Sequence, residues 1–174
     1  MSFELPLQEA IDDYHQGKTE LALEKMQNIL LEFPTTPIIR IEFANILMRE
    51  KRFDDARELL QSLSSEDQKQ PSALALLGQL DSINAVIDAP EFEDLLNTVE
   101  QDPSDCLARE QLSAHFRLRG DYVSAMDQLL EIVRRDRNYN NDVGRTELLK
   151  IFELLAEDNT IIGQYRRKLA LALN

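Results

Sequence analysis

The chain has 174 residues, of which 43% are hydrophobic and 29% are charged, and its formal net charge is −13. This length and composition are sufficient for one hydrophobic core and do not fit a disordered polymer. The charge is uneven, since residues 1–130 sum to −14 and residues 131–174 sum to +1. An acidic body repels phosphate backbones, so we do not expect nucleic acid as a partner.

The beginning of the chain, residues 1–4, lacks the basic lead and apolar run of a targeting sequence. No later segment approaches the ~18 consecutive apolar residues of a membrane span. Cys106 is the single cysteine, so an internal disulfide is excluded. We expect a cytoplasmic protein with no membrane partner.

Three stretches along the chain repeat one pattern, in which a turn is followed by a small residue inside an apolar helical pattern. They are "GKTELALEKM" from Gly17, "KRFDDARELL" from Lys51 and "GDYVSAMDQL" from Gly120. Their small residues are Ala22, Ala56 and Ala125, at spacings of 34 and 69 residues. The period is therefore about 34 residues, and a degenerate copy is expected around Glu91.

Apolar residues recur at helical spacing between the turns, which predicts an all-α chain of about ten helices and no strands. Pro34 and Pro103, also 69 residues apart, each end a helix. We expect a single α-solenoid over residues 1–174. Its repeats are 3–35, 36–70, 71–103 and 104–137, followed by terminal helices in 145–174.

This pattern resembles the tetratricopeptide repeat, in which a small residue lets two antiparallel helices pack closely. The resemblance implies a right-handed superhelix of helix pairs. The third repeat keeps Leu77-Gly78 but lacks the alanine. We assign Gly78 to close helix packing and Gly144 to a terminal connection.

The last segment, "QLLEIVRRDRNYNNDVGRTELLKIFELL" followed by "YRRKLALALN", resembles the C-terminal region of the YbbN/CnoX-type thioredoxin-like chaperones, or chaperedoxins. That resemblance implies a bacterial stress-response holdase that binds unfolded clients and passes them to the chaperonin or the Hsp70 system. The thioredoxin domain of that family is absent from this chain, which is either a fragment or a stand-alone relative. The alternative function is a scaffold with one dedicated peptide or protein partner.

In tetratricopeptide arrays the first helix of each pair lines a concave groove. Alignment on the repeat alanine places mostly apolar residues there, although an apolar stripe can equally fill the core. The groove candidates are Leu7, Ile11, Tyr14, Ile38, Ile41, Asn45 and Met48. Repeat proteins that clamp acidic chaperone tails have Lys and Asn where this chain has Leu7 and Ile11, so such a clamp is not expected.

The C-terminal helix, "TIIGQYRRKLALALN", has an apolar stripe and a basic edge. We expect the stripe to cap the solenoid by packing around Leu149, Phe152 and Leu155. The family resemblance implies that this helix also docks on a chaperonin. The docking candidates are Tyr165, Arg166, Arg167 and Lys168.

The stretch "DRNYNNDVGRTE", residues 136–147, matches the ligand positions of an EF-hand calcium loop. However, Asn141 replaces the usual sixth-position Gly, and Arg137 and Arg145 offset most of the acidic charge. We interpret it as a helix connector and expect no metal site.

No catalytic or phosphate-binding motif occurs, so we expect no enzymatic activity and no cofactor. His15 and His115 lack partners at ligand spacing and are assigned to the groove or the surface. Cys106 should lie in the first turn of a helix, where it is either a reactive thiol or, more simply, a small packing residue.

Overall fold

The computed structural model describes residues 2–156 and 159–174. Within those ranges the chain forms ten α-helices and one short 3-10 helix, Asp67–Lys69, with no strand. The all-helical prediction is confirmed. The helices are α1 (Glu4–His15), α2 (Thr19–Glu32), α3 (Pro37–Arg49), α4 (Phe53–Gln61), α5 (Pro71–Val86), α6 (Phe92–Gln101), α7 (Cys106–Leu118), α8 (Tyr122–Arg135), α9 (Val143–Leu154) and α10 (Asn159–Leu173).

The chain forms two compact units, an N-terminal body (Met1–Leu77) and a C-terminal body (Gly78–Asn174). In the N-terminal body α1 packs on α2, α2 on α3, and α3 on α4. In the C-terminal body α6 packs on α7, α7 on α8, and both α9 and α10 on α8. Most helices therefore pack on their neighbours in sequence, as in a repeat array.

Three turns between paired helices share one backbone geometry. Gly17, Lys51 and Gly120 all have left-handed φ, of 79°, 60° and 75°. The amide of the following residue bonds the carbonyl five residues earlier in each case, from Lys18 to Asp13 (2.9 Å), Arg52 to Leu47 (2.8 Å) and Asp121 to Phe116 (3.0 Å). These are Schellman helix ends, which favour glycine at the left-handed position.

The three repeat alanines are completely buried. Ala22, Ala56 and Ala125 are each the fourth residue of their helix and have no exposed area. A second small residue lies twelve positions before each one and is also buried, namely Ala10, Ala44 and Ser113. Two small side chains allow paired helices to approach closely, as the repeat pattern predicts.

The third helix pair departs from the expected alignment. Glu91 occupies the N-cap position just before α6 and makes no side-chain capping bond, so the expected third copy is not aligned on residue 91. The reason is that α5 has 16 residues against the 13 of α3, and that residues 87–91 form a longer loop than residues 50–52, which join α3 to α4. The fourth residue of α6 is instead Leu95, which is buried.

The two glycine assignments are reversed in the structure. A Cβ atom at Gly78 would have no heavy atom within 4 Å, so Gly78 is not required for close packing. A Cβ atom at Gly144 would lie 2.9 Å from the Leu129 carbonyl oxygen and 2.9 Å from Val133 Cγ2. Gly144 therefore lies where α9 crosses α8.

The C-terminal helix α10 joins the core of its body mainly through α8. Ile162, Tyr165 and Leu169 are buried in a cluster that also contains Phe152, with Leu155 partly buried against it. Leu149, by contrast, is 42% exposed. The expected packing around Phe152 is present, but Leu149 faces solvent on the other side of α9.

Candidate protein-binding surfaces

The groove candidates form one stripe on each of two helices, which we call the α1/α3 stripe. Their spacings, 7, 11 and 14 on α1 and 38, 41, 45 and 48 on α3, put each set on one helix face. Leu7 and Ile41 are buried and belong to the core. Ile11, Tyr14, Asn45 and Met48 are half-buried, and Ile38 is exposed. The partly exposed residues are the ones within reach of a ligand.

Tyr14 anchors the C-terminal end of this stripe. Its hydroxyl donates a hydrogen bond of 2.8 Å to Glu50, the residue that follows α3. Partial burial, and next the bond to Glu50, raise the pKa of Tyr14 above its ordinary value. The phenol therefore stays a neutral donor and ties the end of α1 to the end of α3.

Next to the stripe, the buried carboxylate of Asp13 fixes the turn between α1 and α2. It accepts hydrogen bonds from Lys25 (2.5 Å) and Lys18 (2.9 Å). These bonds hold the pKa of Asp13 below its ordinary value, with the bond from Lys25 contributing most. Asp13 thus ties α1, which carries part of the stripe, to the following turn and to α2.

The C-terminal body has a charged counterpart to this stripe, a chain of ion pairs that we call the α5–α7–α9 ion chain. Arg117 on α7 pairs with Glu147 on α9 at 2.6 Å. Glu147 also pairs with Lys150 at 2.7 Å, and Lys150 reaches Asp81 on α5 at 3.4 Å. The sequence does not predict the α5–α7–α9 ion chain. Arg117 and Glu147 are 30 residues apart, and Asp81 and Lys150 are 69 residues apart, so no local spacing links these pairs.

Arg117 and Glu147 are nearly buried, with side-chain exposures of 11% and 13%. Burial alone would lower the pKa of Lys150, but the bond to Glu147 and the charge of Asp81 raise it above its ordinary value. Lys150 therefore stays charged near neutral pH, and the linked ion pairs give this face a charged character.

The basic edge of α10 consists of Arg166, Arg167 and Lys168, all of which are exposed. Lys168 lies 4.3 Å from the centre of the Tyr165 ring and 4.0 Å from Asp127. Tyr165 itself is buried and donates a hydrogen bond of 2.7 Å to Asp127. Burial and that bond raise the pKa of Tyr165. Tyr165 thus fixes α10 on α8, and its ring contacts Lys168 of the basic edge.

The connector that resembles a calcium loop uses its polar groups for other contacts. Glu147, the expected bidentate ligand, pairs with Arg117 and Lys150 and lies inside α9, which already begins at Val143. Asn140 donates to Glu110, and Asp142 pairs with Arg145. Over residues 2–156 and 159–174, no three His, Cys, Asp or Glu side chains lie close enough to hold a metal ion.

Cys106 is the first residue of α7 and is buried. Burial, and next the charge of Asp136, raise the pKa of its thiol. A raised pKa disfavours the reactive thiolate, so the surroundings suit a packing residue.

His115 is half-buried, and its ring lies 5.9 Å from the ring of Phe92.

In the part of the chain that the structure describes, every helix is too short or too polar to span a bilayer.

Comparisons with family models and with solved structures find proteins similar to this chain. Two tetratricopeptide repeat family models match the chain, one over residues 14–80 and one over residues 86–174. Among solved structures, a domain of a Vibrio parahaemolyticus protein of unknown function is similar at 23% identity, over 98% of this chain and 99% of that one, with a TM-score of 0.43. A tetratricopeptide repeat protein of Thermus thermophilus is similar at 15% identity, over 97% of this chain and 100% of that one, with a TM-score of 0.47.

A search of curated proteins finds no match. The second family model alone covers more than half of the chain. The chain therefore belongs to the tetratricopeptide repeat family.

Proposed function

We propose that this chain is the client-binding module of a holdase, which keeps apolar segments of unfolded proteins on the α1/α3 stripe. Tetratricopeptide repeats are scaffolds for protein interaction and are typically non-catalytic. The supporting observation is the partly exposed apolar set on the stripe, Ile11, Tyr14, Ile38 and Met48. Partly exposed apolar side chains on a rigid helix face can bind extended peptide segments with low sequence specificity.

The resemblance of residues 128–174 to chaperedoxins extends this proposal. In that reading the chain hands its clients to a chaperonin or an Hsp70 system, and the basic edge of α10 docks on that partner. Exposed charges set the association rate and its salt dependence more than the final affinity. Docking should therefore weaken as ionic strength rises.

Suppression of aggregation tests the stripe. We expect the double variant Ile38→Asp, Met48→Asp to lose most of the ability to keep unrelated heat-denatured enzymes in solution. These two positions are partly open, whereas Asp at the buried Ile41 would disrupt the core. The matched control is Leu21→Asp, Leu31→Asp, which adds the same charge at exposed positions of α2. Equal suppression by a folded stripe variant and the parent would refute client binding here.

Chaperonin binding tests the basic edge separately. We expect the variant Arg166→Glu, Arg167→Glu, Lys168→Glu to bind a purified chaperonin more weakly than the parent at low salt. The control reverses Arg49, Lys51 and Lys69, which are exposed in the N-terminal body. Equal binding by the folded α10 variant and the parent would remove the docking role.

A second candidate function, a scaffold with one dedicated partner, is favoured by the α5–α7–α9 ion chain. Charges fixed in pairs on a binding face select against mismatched ligands. The two functions give opposite results in two assays. A dedicated scaffold should enrich one protein from lysate and should not suppress aggregation of unrelated proteins.

A further inference from the structure

A cleft opens in the N-terminal body between α2, α3 and α4, away from the α1/α3 stripe. Its volume is about 350 Å³, at the small end of the range for ligand sites. On α3 it is lined by Arg40, Phe43 and Leu47, which follow a different helix face from Ile38, Asn45 and Met48. A ligand in this cleft would therefore not contact the stripe.

The floor of the cleft is apolar and its rim is polar. Leu30 of α2, Phe43 and Leu47 of α3, and Leu59 of α4 form the floor. Gln27, Arg52, Asp55, Glu58 and Ser62 line the rim. An apolar floor with a few charged groups around it suits one bulky apolar side chain together with the backbone that presents it.

Arg40 is the charged group that distinguishes the cleft. It is half-buried, and the structure contains no hydrogen bond or ion pair between its side chain and another described residue. Of the two acidic residues on the rim, Asp55 is already bound by Arg52 at 2.6 Å, and Glu58 forms no ion pair with Arg40. The Arg40 guanidinium is therefore left without a carboxylate partner.

The first turn of α3 does not offset the charge of Arg40. Arg40 is the fourth residue of α3, and the first turn of α3 contains no acidic residue. Helix N-termini carry a partial positive charge, which acidic side chains usually offset there. None of residues 36–39 lines the cleft, so the Arg40 guanidinium is the group that attracts an anion to this wall.

From this complementarity we propose that the cleft binds a peptide segment of a partner protein in which a bulky apolar residue stands next to a carboxylate. The apolar side chain fills the floor between Phe43 and Leu59, and the carboxylate pairs with Arg40. This site is separate from the proposed client-binding stripe and does not depend on it.

The experiment uses three blocked tetrapeptides that share a central Leu-Leu and differ in their flanking residues, which are acidic, neutral or basic: acetyl-Glu-Leu-Leu-Glu-amide, acetyl-Ser-Leu-Leu-Ser-amide and acetyl-Lys-Leu-Leu-Lys-amide. Each is titrated into the isotopically labelled full chain and followed by NMR. We expect the acidic peptide to shift resonances of Leu30, Phe43 and Leu59 and to bind about fivefold or more tightly than the lysine peptide. Arg40→Gln should abolish this preference, whereas the control Arg49→Gln, on the same helix but outside the cleft, should retain it.

Three outcomes would overturn the proposal. The lysine peptide could bind as tightly as the acidic one, or the shifts could fall on Ile11, Tyr14 and Met48 instead of the cleft. Light scattering could also show a dimer of the chain that Arg40→Gln dissociates, which would identify the occupant as a second copy. Because the stripe variant Ile38→Asp, Met48→Asp leaves the cleft lining unchanged, it should bind the acidic peptide normally.

Discussion

Replacing Gly144 by alanine should destabilise the C-terminal body, although alanine usually favours a helix. The new methyl group would lie 2.9 Å from the carbonyl oxygen of Leu129 and 2.9 Å from Val133 Cγ2. A side chain can rotate away, but the carbonyl belongs to the backbone of α8 and can only move with that helix. The contact between α8 and α9 must therefore open.

Two opposing terms set the size of the effect. Overpacking of a well-packed site costs about 1–3 kcal/mol. The gain from replacing a helical glycine by alanine is about 0.5–1 kcal/mol, and it is reduced here because Gly144 is only the second residue of α9. The net loss of unfolding free energy should be about 1–2 kcal/mol, which corresponds to about 2–8 °C in Tm for a chain of this size.

The matched controls are Gly163→Ala in α10 and Gly78→Ala in α5, where a Cβ atom meets nothing within 4 Å. There only the helix-propensity gain remains, so both variants should be more stable by about 0.5–1 kcal/mol. Urea unfolding followed by circular dichroism measures all three changes. If Gly144→Ala raised the midpoint as the controls do, the close crossing of α8 and α9 would be wrong.

Three further predictions concern the turns, the helix crossings and an ion pair. Lys51→Gly should raise the unfolding free energy by about 0.5–1 kcal/mol, because it removes left-handed strain of about 1–2 kcal/mol at the cost of a more flexible unfolded chain; Gly120→Lys should lower it, and urea titrations of both show the sign. Ala56→Leu and Ala125→Leu should each lose about 1–3 kcal/mol in thermal melts, whereas Leu at the exposed Ala170 should change little. Asp13→Asn should lower Tm by a constant amount above pH about 5 and by progressively less in more acidic buffers. The sign follows from the lowered pKa of Asp13, because its stabilisation is present above the ordinary value of 3.8 and is lost as pH falls through the folded-state value.

The repeat phase could be predicted from sequence because it rests on local rules. A left-handed turn residue and a small residue five positions later recur in Gly17 with Ala22 and in Gly120 with Ala125, and both pairs have the expected geometry. The alignment failed at Glu91 because a longer α5 and a longer loop after it shifted the register. Nothing in the local sequence marks where a helix lengthens when its pattern stays apolar.

The surfaces could be predicted only in part because burial depends on neighbouring helices. Leu7 and Ile11 share one stripe, yet only Leu7 is buried, since a helix face meets its neighbour along part of its length. Contacts between residues distant in sequence decide the rest. They include the close approach of Gly144 to α8, the ion pair of Glu147 with Arg117 and the lack of an ion pair at Arg40 among the described residues. Periodicity identifies an apolar face but not the element that covers it.

Helix α10 packs on α8, although α9 lies between them in sequence, and this order has a consequence for synthesis on the ribosome. The chain emerges from its N-terminus, so each earlier pair can fold as soon as its second helix leaves the exit tunnel. The surface of α8 that binds Tyr165 and Leu169 has no cover until residues beyond 169 have emerged. A ribosome that pauses between α9 and α10 would therefore hold a nascent chain with exposed apolar surface, the kind of surface that chaperones bind.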